Sequence, residues 1–212
     1  MKVVINSHTR YTQPRAQLLD SVRESSFPMT DVIVVIGGVE QSSPPSTTDT
    51  SWVKIECTEE AYDFHALTCL FRYKDHPLVR ADGYLYLHDT CTVERETFVQ
   101  CLRDLDFSSP YTIYGPPLPA ANICALARGV VERIGWTYNK HISKREAISI
   151  EKGVSATTPH LYRFGAVKPM PPRRRLGLCE PYDDGARIHY FYHKFGVHKY
   201  TRPTLTRHQE VD

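Results

Sequence analysis

The stretch Tyr84-Leu85-Tyr86-Leu87-His88-Asp89-Thr90 constrains the fold more than any other part of the chain. Four consecutive apolar or aromatic residues, entered through Asp82-Gly83, read as a short buried β-strand. An aspartate follows at once, where such a strand emerges into a cleft. In open α/β sheets ligands bind outside the carboxyl ends of the strands. A carboxylate at that place is suited to hold a divalent metal, and the metal to hold a diphosphate. A second stretch points to the same chemistry. His193-Lys194-Phe195-Gly196-Val197-His198-Lys199 has the spacing H-x-x-G-x-x-K. Imidazole ligates metals, glycine lets backbone come close to a phosphate, and lysine offers a cation to phosphate oxygens.

The rest of the chain supplies an alternation of strands and helices around that strand. Lys2 to Ile5 reads as a first strand, Asn6 to Tyr11 as a polar turn, and Pro14 as the opening of a helix to about Ser25. Asp31 to Ile36 reads as a strand closed by Gly37-Gly38, 41 to 50 as a Ser/Thr/Pro loop, and Trp52 to Glu56 as a third strand. A helix is expected from Thr58 to Arg72, another over Val93 to Leu105, a strand at Tyr111 to Tyr114, and a helix over Ala120 to Ile134. Pro169 to Arg175 reads as a loop, and no repeat is visible. This order implies an α/β domain with a mainly parallel central sheet flanked by helices. The polar turn after the first strand then lies at the same cleft edge as Asp89. No G-x-G-x-x-G follows the first strand, which disfavours a dinucleotide-binding Rossmann domain.

Length and composition fit this reading. A chain of 212 residues, 41% hydrophobic, suits one large domain or two small ones with a proper core. A formal charge of +2 argues against a general nucleic-acid binder, so no nucleic acid is expected as partner. The start, Met1-Lys2-Val3-Val4-Ile5-Asn6, turns polar too soon for a signal peptide, and no run approaches the ~20 apolar residues of a membrane helix. Cys57, Cys69, Cys91, Cys101, Cys124 and Cys179 are scattered without a C-x-x-C pair, which reads as reduced thiols in a cytoplasmic protein.

The combination of Leu87-His88-Asp89-Thr90 with the later H-x-x-G-x-x-K resembles glycosyltransferases of the GT-A fold. Their signature is an apolar strand ending in an acidic D-x-D-type motif. Only one acid of that motif, Asp89, is present here. The resemblance covers nearly the whole chain. It implies a nucleotide-diphospho-sugar transferase domain over 1–212, with its nucleotide-binding part over about 1–115 and its acceptor-binding, closing part over about 116–212. It implies Asp89 and His193 as ligands of Mn²⁺ or Mg²⁺, and Gly196 and Lys199 at the diphosphate. Ser7-His8-Thr9-Arg10-Tyr11 resembles the uridine-binding turn, with Ser7, Thr9, Arg10 and Tyr11 as contacts. Arg72 and Asn122 stand where the family contacts ribose or phosphate and the donor sugar. The implied reaction moves a hexosyl unit from a UDP-sugar to a glycan or glycoprotein acceptor with retention, and a His ligand favours Mn²⁺. The chain is also similar to members of the family encoded by chlorella viruses, which implies a capsid-protein glycan as acceptor and a host-cytoplasm location. A further domain after the polar tail Thr206 to Asp212 is compatible with this reading.

Other readings stay open at this point. Asp89 also suits the cap of a following helix. His88 reads better as a core histidine than as a ligand, and His198 as a surface residue. Arg72 and Asn122 equally suit a solvated face and a helix cap. An inverting enzyme needs a carboxylate base, for which Asp183 and Asp184 beside Gly185 are the nearest candidates, and both also suit a turn. The competing classes are a metal phosphohydrolase built on His88-Asp89 and a glycosyltransferase-like binding module without turnover.

Overall fold

The computed structural model describes residues 1–59, 64–114, 123–134 and 196–199. Its centre is a seven-stranded sheet. In chain order the strands are β1 (Lys2–His8), β2 (Val32–Gly37), β3 (Ser43–Thr47), β4 (Val53–Cys57), β5 (Gly83–His88), β7 (Ile113–Tyr114) and β8 (Ile123–Ala127). They lie side by side as β3-β4-β2-β1-β5-β8-β7. The middle four, β4, β2, β1 and β5, are parallel; β3 and β8 run antiparallel to them at the two flanks, and β7, antiparallel to β8, runs with the middle four again. A separate two-stranded ladder joins β6 (Cys91–Val93) to β9 (Val197–Lys199).

Side chains alternate across each strand, so each strand feeds two cores. Val4, Ile33, Val35, Tyr84 and Tyr86 pack under α2 (His65–Arg72) and α4 (Arg128–Ile134). Val3, Ile5, Val34, Leu85 and Leu87 pack under α1 (Thr12–Glu24) and α3 (Phe98–Arg103). The central strands are thus covered on both faces. That is why they read as unbroken apolar runs rather than alternating ones. Burying each such aliphatic or aromatic side chain contributes about 1.5–3 kcal/mol.

The strands expected at Lys2–Ile5, Asp31–Ile36, Trp52–Glu56 and Tyr84–Leu87 are present with small shifts of their ends. Three expectations are corrected. The 41–50 loop contains β3, a sheet-edge strand whose Pro44 and Pro45 sit beside a register shift, where a missing N–H is tolerated. The helix expected from Val93 starts only at Phe98, because Cys91–Val93 pairs with β9. The helix expected over Ala120–Ile134 is a strand, Ile123–Ala127, followed by the helix Arg128–Ile134. Pairing of Tyr84 with Leu126 and of Tyr86 with Cys124 overrides the helical propensity of Cys-Ala-Leu-Ala. Within 58–72, helix is seen over His65–Arg72, and Thr58 and Glu59 are outside it. Cys57, Cys69, Cys91, Cys101 and Cys124 are free thiols. Among the described residues no helix is long and apolar enough to cross a membrane.

Candidate functional site

The carboxyl edge of β1 and β5 gathers the polar residues that the sequence places after each strand. The register sets Asn6 beside His88, which brings Ser7 beside Asp89. The Asp89 amide continues the ladder by donating to the Asn6 carbonyl at 3.2 Å. By the two-residue period, Ser7 and Asp89 follow Ile5 and Leu87 toward the α1 side, and Asn6 and His88 follow Val4 and Tyr86 toward the α2 side. Ser7 is 2% exposed and Asp89 6%. The Ser7 hydroxyl donates to Asp89 Oδ2 at 2.9 Å.

Arg15, on the first turn of α1, completes this group. Its Nη1 donates to Ser7 Oγ at 3.2 Å and to the His8 carbonyl at 3.3 Å. A guanidinium only donates, so the Ser7 oxygen accepts from Arg15 while its proton goes to Asp89. Burial lowers the Arg15 pKa from its ordinary value and the Asp89 carboxylate acts against that; the side chain stays a cation.

The α2 side braces the edge. The Asn6 side-chain oxygen accepts the Ala66 N–H at 3.0 Å, at the start of α2. His65 Nε2 lies 2.8 Å from the Ser7 carbonyl, which accepts, so that nitrogen carries the proton. His88 is buried, with its ring edge-on to Tyr86 at 6.1 Å between centroids.

The turn His8 to Tyr11 sits directly above. Its backbone is fixed by the Thr9 amide on the Gly37 carbonyl at 3.1 Å and by the Tyr11 amide on the His8 carbonyl at 3.0 Å. The Arg10 amide donates to His8 Nδ1 at 3.1 Å. His8 lies against Gly38, which has φ +74°. The positive φ favours glycine, and a Cβ there, 2.3 Å from His8 Nε2, would push the imidazole aside. Among the described residues Tyr11 is the one large hydrophobic side chain left exposed, at 49%. Arg72, at the end of α2, is engaged with the Glu59 carboxylate.

The ladder of β6 and β9 carries Val197–Lys199, the end of the C-terminal motif, to the same edge. Cys91 pairs with Lys199 and Val93 with Val197, so the backbone of Lys199 runs beside a residue two positions past Asp89. Gly196 precedes the strand with φ +65°, and its carbonyl accepts the Glu94 N–H at 2.6 Å. The Val93 amide in turn donates to Ser21 Oγ of α1 at 3.1 Å.

Of the residues singled out in the sequence, Ser7, Thr9, Arg10, Tyr11, Asp89, Gly196 and the backbone of Lys199 therefore converge on one sheet edge. Asn122, Asp183, Asp184 and His193 lie outside the described residues. Arg15 and His65 went unread in the sequence. The signal for Arg15 was available: a helix opened at Pro14 puts its first turn against the edge that Ser7 occupies. Among the described residues no group of three or more His, Cys, Asp or Glu side chains converges as a metal cage. Asp89, buried and accepting the Ser7 hydroxyl, is a hard anionic group at the carboxyl end of β5. That suits Mg²⁺ or Mn²⁺, whose coordination shells are commonly filled by water and substrate phosphates.

No protein-family model and no curated protein matches the sequence. Solved structures similar to this one include glycosyltransferases, the class that the sequence resembles. Mannosyltransferase PcManGT from Pyrobaculum calidifontis, in complex with GDP-Man and Mn²⁺, is 16% identical, with a TM-score of 0.43 over 63% of this chain and 46% of that one. A glycosyltransferase involved in glycosylation of the major capsid of PBCV-1 is 11% identical, with a TM-score of 0.44 over 79% and 82%. TarS of S. aureus is 11% identical, with a TM-score of 0.40 over 62% and 29%, so this chain spans under a third of TarS and under half of PcManGT.

Proposed function

We propose that the chain is a metal-dependent glycosyltransferase that takes a UDP-sugar donor and transfers its sugar, with retention, to a glycan or glycoprotein acceptor. The observation that carries this reading is the convergence of Ser7, Asp89 and the Gly196–Lys199 strand at one sheet edge, although about a hundred residues separate Asp89 from Lys199. A helix cap at Asp89 would not need the Gly196–Lys199 strand paired two residues beyond it.

In this reading Tyr11 stacks on uracil above the Thr9-Arg10 turn, and Arg72 and Asn122 contact ribose and sugar. Asp89 and His193 hold Mn²⁺ or Mg²⁺, which supplies positive charge to the diphosphate when bound. Lys199 balances the charge that grows on the leaving diphosphate, with Gly196 allowing the strand to come close. If the reaction inverts configuration instead, Asp183 or Asp184 is the base that takes the acceptor proton. A phosphohydrolase would need further His and Asp ligands, usually carried on helices, whereas His88 ends the strand β5 and Asp89 follows it. The single acid at the motif favours one other reading, a nucleotide-binding module without turnover.

Hydrolysis of UDP-sugars by purified protein, with Mn²⁺ and with chelator, separates these. The expected result is Mn²⁺-dependent release of UDP that falls about 10²–10³-fold in Lys199→Ala, the scale of losing one good electrostatic donor. Donor binding should fall less, because the charge accumulates in the transition state. UDP binding without any release identifies a binding module, and full activity in Lys199→Ala removes that lysine from the site.

A further inference from the structure

We infer that Arg15 is a diphosphate-recognising residue of this site, gripping the phosphate oxygens of the ligand that Asp89 and its cation receive. The inference deepens the donor reading and rests on it for the nucleoside, but not for the diphosphate.

The geometry of Arg15 is that of a guanidinium held ready rather than consumed. One nitrogen, Nη1, is committed to Ser7 Oγ and to the His8 carbonyl. The other two, Nε and Nη2, take no partner among the described residues. The side chain is half-buried, and burial works against its charge. A half-buried guanidinium keeps part of its hydration, and its two remaining donor groups are open to an anion. The Asp89 carboxylate attracts the guanidinium across the Ser7 hydroxyl, which bridges the two. A planar fork of N–H groups matches phosphate oxygens in pairs, which a lysine cannot reproduce.

The helix also holds the fork in place. Leu18, Leu19 and Val22 fasten α1 to the sheet, and Ser21 ties it to β6 beside the strand of Lys199. The position of Arg15 is thus set by a packed helix. A site with one carboxylate and one fixed guanidinium is close to neutral, so it selects an anion that brings its own cation.

Titration calorimetry on the wild type, Arg15→Ala and Arg15→Lys tests this with three probes: UDP with Mn²⁺, uridine, and inorganic pyrophosphate with Mg²⁺. A charged hydrogen-bond donor lost from a phosphate predicts about a 10- to 100-fold weaker affinity. That loss is expected in Arg15→Ala for UDP and pyrophosphate alike, with uridine unchanged and part of the loss recovered in Arg15→Lys. Equal loss for uridine and UDP would show that Arg15 only shapes the His8 to Tyr11 turn and would overturn the inference. So would an unchanged affinity for pyrophosphate. Failure of the donor reading looks different: UDP then binds the wild type no more tightly than pyrophosphate, while the Arg15 dependence of pyrophosphate still stands or falls by itself. A wild type that binds neither overturns both.

Discussion

Arg72 is engaged before any ligand arrives. It joins the end of α2 to Glu59, just past β4, and so fastens one wall of the cleft edge. Burial opposes ionisation of the Glu59 carboxyl, but the hydrogen bond and charge of Arg72 outweigh it and hold the group below the usual carboxylate range. The Arg72 guanidinium is raised in turn, first by the same hydrogen bond. A carboxyl with a lowered folded-state pKa stabilises the fold above its unfolded value of about 4.3, and the contribution is lost as pH falls through the lower folded value. Arg72→Ala should therefore cost about 0.2–1 kcal/mol at pH 7, the range of solvent-screened ion pairs, and the gap from wild type should close at pH values below about 4. Urea denaturation at the two pH values measures it. A gap that persists in acid would show that Arg72 stabilises through its stem packing rather than through Glu59.

The ladder of β6 and β9 is the element that turns a sheet edge into a site, and Gly196 sets its geometry. A Cβ at Gly196 would lie 2.8 Å from both the Cα and the N of Phe98, where α3 begins, and the backbone there already holds φ +65°. Neither strain is relieved by turning a side chain, because the obstacle is main chain. Gly196→Ala should cost about 1–3 kcal/mol in stability and weaken UDP binding as well, since β9 carries Lys199. Thermal melting together with UDP titration checks both; an unshifted melting temperature would mean that β9 pairs differently. This ladder was not legible in the sequence, for a physical reason. Three residues pair with three others about a hundred positions away, and no local period marks such a contact. The strand Ile123–Ala127 was hidden by its own composition, since alanine and leucine favour a helix until a neighbouring strand pairs with them. The strands β1, β2, β4 and β5 were legible because burial on both faces demands continuous apolar runs. Asp89 and Ser7 were legible as polar residues two positions beyond the last apolar residue of two such runs. His65 was not, because its role comes from how α2 settles against the edge, whereas Arg15 could have been read from the helix opened at Pro14.

Across the whole molecule, the two faces of the sheet divide the work. The α2 side carries Asn6, His65 and His88 in buried contacts that fix the edge. The α1 side carries Ser7, Asp89 and Arg15, with the exposed Tyr11 above and β9 alongside. Strand parity therefore separates supporting residues from the candidate binding residues, and it does so with one step along the chain from Asn6 to Ser7 and from His88 to Asp89. The near-neutral pairing of Asp89 with Arg15 makes the site a poor receptor for a lone divalent cation, and a better one for a cation together with a diphosphate. Calorimetric titration of UDP into wild-type protein and Asp89→Asn, each with Mn²⁺ and with chelator, tests the central claim most directly. The amide keeps an oxygen for the Ser7 hydroxyl, so the melting temperature should hold while the charge is lost. The expected result is UDP binding in the wild type that weakens at least about tenfold, or 1.4 kcal/mol, on chelation and to the same extent in Asp89→Asn. UDP binding by Asp89→Asn in Mn²⁺ that equals the wild type would contradict the site.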